Sequence, residues 1–185
     1  HIAFGSVSCW YQAHLSGAGF NVTGSGYVGV PGIMFGRNDR VAWGLTNNIC
    51  AQRDLYQERE NPDRPGHFFY DGEWEQAREV EETIIVKGGE AVTKTVRLTR
   101  NGPIVDEIIP EPARDTGPVS LRWMGHEPCD EITSMLATNR ASSAAGFREA
   151  LRTWIVPAFS FGFADTEGHI GYQAGGRIPI RSNWD

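Results

Sequence analysis

The chain has 185 residues, 40% hydrophobic and 22% charged, with a formal net charge of -6. A chain of this size buries roughly 70% of the surface that its unfolded form exposes, so a globular core is within reach. The acidic balance offers no basic stripe to neutralise phosphates, which argues against nucleic acid, and no run of about eighteen apolar residues exists to cross a membrane.

Aromatic residues make up 11% of the chain and there are 22 Gly, a combination that favours strands joined by tight turns. The first strand is predicted over residues 7–15, followed by a turn at Gly17-Ala18-Gly19 and a second strand over 20–24. Pro31-Gly32 turns the chain into a short buried strand at 33–36. Arg37-Asn38-Asp39-Arg40 is a polar hairpin turn leading into a strand at 41–46, and 54–58 continues as strand. Residues 61–66 are a Pro-containing loop. His67-Phe68-Phe69-Tyr70 and Glu73-Trp74 flank Asp71-Gly72, a dipeptide that favours the positive dihedrals of a type I′ hairpin. Strands at 83–86 and 91–99 are joined by Lys87-Gly88-Gly89-Glu90. Asn101-Gly102-Pro103 turns the chain before Ile104-Val105, residues 110–118 are a Pro-rich surface excursion, and 119–123 is a further strand.

Helical periodicity is confined to the later part. One helix is predicted over 130–138, with Glu131, Ile132, Met135 and Leu136 at suitable spacing. Ser142-Ser143 caps a second over 144–153, which presents Phe147, Leu151 and Trp154 on one face and ends at Pro157. An aromatic strand at 159–164 then turns through Asp165-Thr166-Glu167-Gly168 into Ile170-Gly171-Tyr172. Mainly antiparallel strands with late helices make the class α+β.

Cys9, Cys50 and Cys129 are far apart, with no CxxC pair; they describe neither a disulfide framework nor a zinc site. The chain opens on His rather than Met and closes on Arg181-Ser182-Asn183-Trp184-Asp185 with no finishing element. It is therefore expected to be an interior piece of one domain, residues 1–185, incomplete at both ends.

Two stretches carry a family pattern. The first centres on Pro31-Gly32-Ile33-Met34-Phe35-Gly36-Arg37-Asn38-Asp39-Arg40-Val41-Ala42-Trp43-Gly44-Leu45-Thr46-Asn47. The second is Phe163-Ala164-Asp165-Thr166-Glu167-Gly168-His169-Ile170-Gly171-Tyr172 with Gly176-Arg177-Ile178-Pro179. The hairpin at 66–74 and Asn101-Gly102-Pro103 fall between them in the right order. Together they resemble the catalytic β subunit of the penicillin amidase family.

That resemblance implies an N-terminal-nucleophile hydrolase with a four-layer αββα sandwich, processed autoproteolytically from a precursor. A Ser exposed as the first residue attacks an amide carbonyl, and its own α-amino group, which titrates near neutrality, takes the hydroxyl proton. The serine is expected upstream of His1, so the fragment alone is expected to be inactive. Ser6, Ser8 and Ser160 lack both the free amine and a Gly-x-Ser-x-Gly elbow.

By the same resemblance, His1 lies beside the nucleophile and hydrogen-bonds it, and the backbone N–H of Asn47 is one oxyanion donor. The second donor is expected beyond Asp185. Ile2, Phe35, Leu45, Ile49, Thr138 and Phe159 line the acyl pocket, with Thr138 standing where some relatives carry a large aromatic. Asp54 matches one carboxylate of a structural calcium site, but Ala51 replaces its acidic partner. No cofactor is required. The implied partners are an α subunit from the same precursor and a small N-acyl substrate, such as a β-lactam antibiotic with its acyl side chain. The implied location is the periplasm or the exterior.

Acyl-homoserine lactone and lipopeptide acylases on the same scaffold are the alternative substrate class, and a non-catalytic β-rich binding module is the alternative role. An N-terminal His also suggests a copper oxygenase using His14, His67, His126 or His169 as second ligand, although nothing marks any of them as that partner.

Overall fold

Alternation of large apolar and small or polar residues decides which strands form and which way they face. The computed structural model describes residues 8–111 and 115–181. In chain order its strands begin with β1 (Trp10–Gly17), β2 (Phe20–Tyr27), β3 (Phe35–Arg37), β4 (Val41–Asn47) and β5 (Arg53–Gln57). Then come β6 (His67–Tyr70), β7 (Glu73–Gln76), β8 (Arg78–Ile84), β9 (Val92–Thr99), β10 (Gly102–Pro103) and β11 (Val119–Trp123). Helices α1 (Glu131–Arg140) and α2 (Ala144–Ala150) follow, the latter extended by a 3₁₀ turn at Leu151–Thr153, before β12 (Phe159–Asp165) and β13 (Ile170–Gly175). The pairings between these strands are antiparallel. The chain divides into two compact units, one running up to Gln52 and resuming at Glu127, the other Arg53–His126.

The first unit is a six-stranded sheet in the order β1-β2-β3-β4-β12-β13. One face is apolar. Val41 and Trp43 of β4 are buried while the alternate residues Ala42 and Gly44 are exposed. Phe159, Phe161 and Phe163 of β12 repeat the alternation. These side chains form one core with Met135, Phe147, Leu151 and Trp154 of the helical segment. Phe147 is fully buried and meets Phe163 at 4.9 Å and Trp43 at 5.5 Å between ring centroids. As expected from the sequence, Ser143 caps α2, its hydroxyl accepting from Gly146 N–H at 3.1 Å.

The buried side of α1 differs from the expectation. Ile132 is 46% exposed, and the inward residues are Ser134, Met135, Thr138 and Asn139. The reason lies in what the helix meets. Residues 31–34 are irregular backbone in which Met34 N–H reaches the Ser25 carbonyl at 2.9 Å but Ile33 relies on a side chain, and a buried orphan N–H or C=O is costly. Asn139 supplies both partners: its Oδ1 accepts from Ile33 N–H at 2.7 Å and its Nδ2 donates to Ile33 C=O at 2.7 Å. Asn38 closes the joint from the other side. Its Nδ2 donates to the carbonyls of Asn139 (3.0 Å) and Ala141 (2.8 Å), and its Oδ1 accepts from Arg40 and Val41 N–H. Ile33 in turn covers Gly24 and Gly36, which face each other in register. A Cβ at Gly24 would collide with the Phe35 carbonyl oxygen, and one at Gly36 with that of Thr23.

The second unit holds a three-stranded sheet, β10-β9-β8, and the pairs β11-β5 and β6-β7. The β6–β7 hairpin forms as read, with Asp71 at φ +45° and Gly72 at φ +91°. Strand β8 begins earlier than expected, at Arg78, because Arg78-Glu79-Val80-Glu81-Glu82 lies almost wholly in solvent and gives no apolar period to read. Glu58 is buried, and its Oε1 accepts from Ser120 Oγ (2.6 Å), Thr99 Oγ1 (2.9 Å) and Asn101 Nδ2 (3.1 Å).

Replacing Asn139 with Ala leaves both Ile33 backbone groups buried without partners. The expected loss is about 3 kcal/mol of unfolding free energy, measured by urea denaturation. A loss under about 1 kcal/mol would show that water or a shifted loop satisfies them instead.

Candidate functional site

The residues singled out from the sequence converge most closely where β4 ends beside the start of β12. In that ladder Leu45 lies opposite Phe161, and Asn47 opposite Phe159. Leu45, Asn47 and Phe159 therefore share one face at one end of the sheet. Phe159 is 4% exposed, against Trp154 at 5.8 Å, and Leu45 is half-buried against the same core.

The ladder also fixes the direction of the Asn47 N–H. Asn48 N–H donates to the Ala158 carbonyl at 3.0 Å. Antiparallel pairs alternate between bonded and non-bonded, so Asn47–Phe159 is a non-bonded pair. The Asn47 N–H therefore turns away from β12, to the side of β4 on which β3 lies. Strand β3 pairs with β4 only at Gly36–Trp43 and Arg37–Ala42, and does not extend to Asn47.

The other residues are more scattered. Phe35 sits on β3 in an aromatic group, 4.6 Å from Trp10, which stacks on Tyr27 at 3.8 Å. Thr138 is buried in α1 and its hydroxyl donates to the Met135 carbonyl at 2.7 Å. Ile49 is 98% exposed. The expectations for His1 and Ile2 fall outside the described residues.

Three polar residues that sequence reasoning missed hold this region. Gln52 Oε1 accepts from Ala158 N–H at 2.9 Å, while its Nε2 donates to the carbonyls of Ile155 (2.8 Å) and Arg177 (2.9 Å). Glu131 Oε1, in the first turn of α1, accepts from both Ile155 and Val156 N–H at 2.9 Å. Burial opposes the charge on Glu131, but hydrogen bonds from Cys129 and from the Val156 and Ile155 N–H groups outweigh it and hold the carboxyl below its usual range. The same contact with Glu131 pushes the Cys129 thiol up. Arg181 Nη2 donates to the Ala51 carbonyl at 2.8 Å. None of these contacts follows a periodic pattern, so composition and spacing gave no signal.

The far end of β12 is anchored by Asp165, whose side chain is 2% exposed. Its Oδ2 accepts from Ala144 N–H at the start of α2, and its Oδ1 from Glu167 and His169 N–H. The Ala144 bond is the largest influence; with the His169 and Glu167 contacts it outweighs burial and lowers the carboxyl to about 2.

A sequence profile of the penicillin amidase family matches residues 1–185, the whole chain. The chain belongs to the penicillin amidase family. Penicillin G acylase of Escherichia coli is 32% identical over 175 residues, covering 94% of this chain and 20% of that protein. Acyl-homoserine lactone acylase QuiP of Pseudomonas aeruginosa is 28% identical over 192 residues, covering 98% of this chain and 22% of that protein. The solved structure of a thermostable penicillin G acylase from Alcaligenes faecalis is similar with a TM-score of 0.77 at 27% identity, over 92% of this chain and 30% of that one. The chain thus spans about a fifth of the length of the curated relatives it matches. Within the penicillin amidase family, penicillin acylases and acyl-homoserine lactone acylases both resemble it.

Asp54 is the residue at which the resemblance places one carboxylate of a structural calcium site. Calcium takes six to eight oxygens, usually with more than one carboxylate. Asp54 stands on β5 opposite Arg122, and among the described residues no three His, Cys, Asp or Glu side chains come together.

Because the Asp165 carboxyl titrates lower in the folded protein than its ordinary 3.8, the stability it contributes is complete above that value and is lost as pH falls toward about 2. Asp165→Asn is therefore expected to unfold more easily at neutral pH but to lose less further stability than the native protein between about pH 4 and pH 2. Parallel acid-unfolding curves for the two proteins would contradict this.

Proposed function

We propose that this chain is an interior part of the catalytic β subunit of an enzyme that cleaves the linear amide bond of an N-acyl substrate. The observation that carries the reading is the Asn47 N–H, directed off the end of β4 on a side where β3 does not extend, beside the apolar side chains of Leu45 and Phe159. A rigid backbone donor at that corner suits the oxyanion of a tetrahedral intermediate.

The proposed course begins at an N-terminal Ser upstream of His1. Its hydroxyl oxygen bonds to the amide carbonyl carbon while its α-amino group takes the proton. Asn47 N–H donates to the oxyanion, and His1 hydrogen-bonds the serine. The C–N bond breaks as the ammonium protonates the leaving amine, and water then hydrolyses the ester to release the acid. Leu45 and Phe159, with Ile2, Phe35, Ile49 and Thr138, would surround the acyl group. The full exposure of Ile49 supports a pocket wall completed by another segment, for which the α subunit is the proposed source.

The sheet supports the finer fold proposed, an αββα sandwich. Its helix-free face exposes Ala42, Gly44 and Gly162, small residues on which a second sheet can lie at about 10 Å. By family, the enzyme is proposed to be periplasmic or secreted and to need no cofactor. The names of several relatives favour acyl-homoserine lactones as the second substrate class. Penicillin G and an acyl-homoserine lactone therefore belong in the same assay.

In the full-length processed protein, release of a free acid from one of these substrates is expected. Asn47→Ala, which keeps the N–H, should retain kcat, whereas Asn47→Pro, which removes it, should lower kcat about 100-fold or more. Native activity in a folded Asn47→Pro protein would exclude the oxyanion role.

A further inference from the structure

We infer that Gln52 is a positioning residue for this reaction, holding the Ala158 peptide so that the Asn47 N–H and the Phe159 side chain keep a fixed relation. The inference rests on the oxyanion reading of Asn47 and extends it to a side chain that touches neither substrate nor nucleophile.

The corner is made of two segments that no regular ladder joins. β4 ends at Asn47 and β12 begins at Phe159, so residues 48–52 and 155–158 run on beyond the strands. A strand end of this kind frays unless side chains replace the missing ladder. Gln52 does so with a buried amide that is 9% exposed, using both of its N–H donors and its carbonyl oxygen. The Ala158 peptide is gripped on both sides, its N–H by Gln52 Oε1 and its carbonyl by Asn48 N–H. Asn48 follows the proposed oxyanion donor, and Ala158 precedes the proposed pocket residue. A shift of Ala158 therefore moves both at once.

The rest of the corner limits such shifts to the coordinate that Gln52 controls. Glu131 holds the Ile155 and Val156 N–H groups, and Arg177 N–H donates to the Ile155 carbonyl at 2.9 Å. Gly176 packs against Ala158 with no space for a side chain, since a Cβ added there would lie 2.8 Å from Ala158 Cβ. Removing the Gln52 amide frees the Ala158 N–H while leaving Glu131 in place. Displacements approaching 1 Å cost a positioned reaction about 100-fold, which sets the scale of the effect.

The test is steady-state kinetics of the full-length processed enzyme on its best N-acyl substrate, well below the unfolding midpoint. Gln52→Leu, of similar size but without hydrogen bonds, is expected to lower kcat about 10- to 100-fold with KM within about twofold of native. A lowered unfolding midpoint with native kcat would mean that Gln52 serves stability alone, and would overturn the inference. Should the Leu variant fail to fold, Gln52→Glu keeps an acceptor for Ala158 N–H but loses both donors. It is expected to lower kcat about tenfold, and native kcat in that variant would overturn the inference equally. Asn47→Pro separates the two layers. If it loses activity while Gln52→Leu keeps native kcat, only the role of Gln52 falls; if folded Asn47→Pro keeps native kcat, the oxyanion reading falls and the role of Gln52 with it.

Discussion

Between β2 and β3 the chain passes through a short irregular stretch, and Ile33 is buried in it to 1% exposure. Its N–H and C=O are both satisfied by one amide side chain, that of Asn139, more than one hundred residues later. Much of the first unit follows from this contact. It docks the C-terminal half of α1 on the sheet, and Asn38 reinforces it by bonding the Asn139 and Ala141 carbonyls. Eight residues earlier, at about 1.5 Å per residue, Glu131 grips the backbone of residues 155–156 roughly 12 Å along the same helix. The helix thus acts as a strut between the β2–β3 connection and the segment that launches β12. The candidate corner at Asn47 and Phe159 inherits its geometry from that strut.

Much of the fold was legible because local chemistry and tertiary structure agree. Asp71-Gly72 demanded a type I′ turn and formed one, and the alternation of Phe159, Phe161 and Phe163 marked a half-buried strand. Phe147, Leu151 and Trp154 share a face and are all buried. The reading failed where partners replaced pattern. α1 buries Met135 as its spacing suggested, but it leaves Ile132 exposed and buries Ser134, Thr138 and Asn139, because it packs on irregular backbone that needs hydrogen bonds more than methyl groups. β8 escaped notice at its start because a solvated ribbon has no apolar period.

The candidate site divides along the same line. Leu45, Asn47 and Phe159 were reached through family motifs, and the strand register explains why they stand together. Gln52, Glu131 and Arg181 were invisible, since each acts on backbone groups far away in sequence. The Thr138 hydroxyl donates within its own helix, to the Met135 carbonyl. Among the described residues of the proposed pocket, Leu45, Phe35 and Phe159 are apolar, which suits aromatic or aliphatic acyl groups.

The proposed role of these residues is to stabilise and orient an acyl-enzyme whose nucleophile lies elsewhere in the same protein. The decisive experiment quenches the full-length processed enzyme during turnover of an N-acyl amide and locates the acyl group by peptide mass spectrometry. An acyl ester is expected on an N-terminal Ser that precedes His1 in the processed chain. An acyl group on a residue between His1 and Asp185, Ser160 or Cys50 for example, would contradict it.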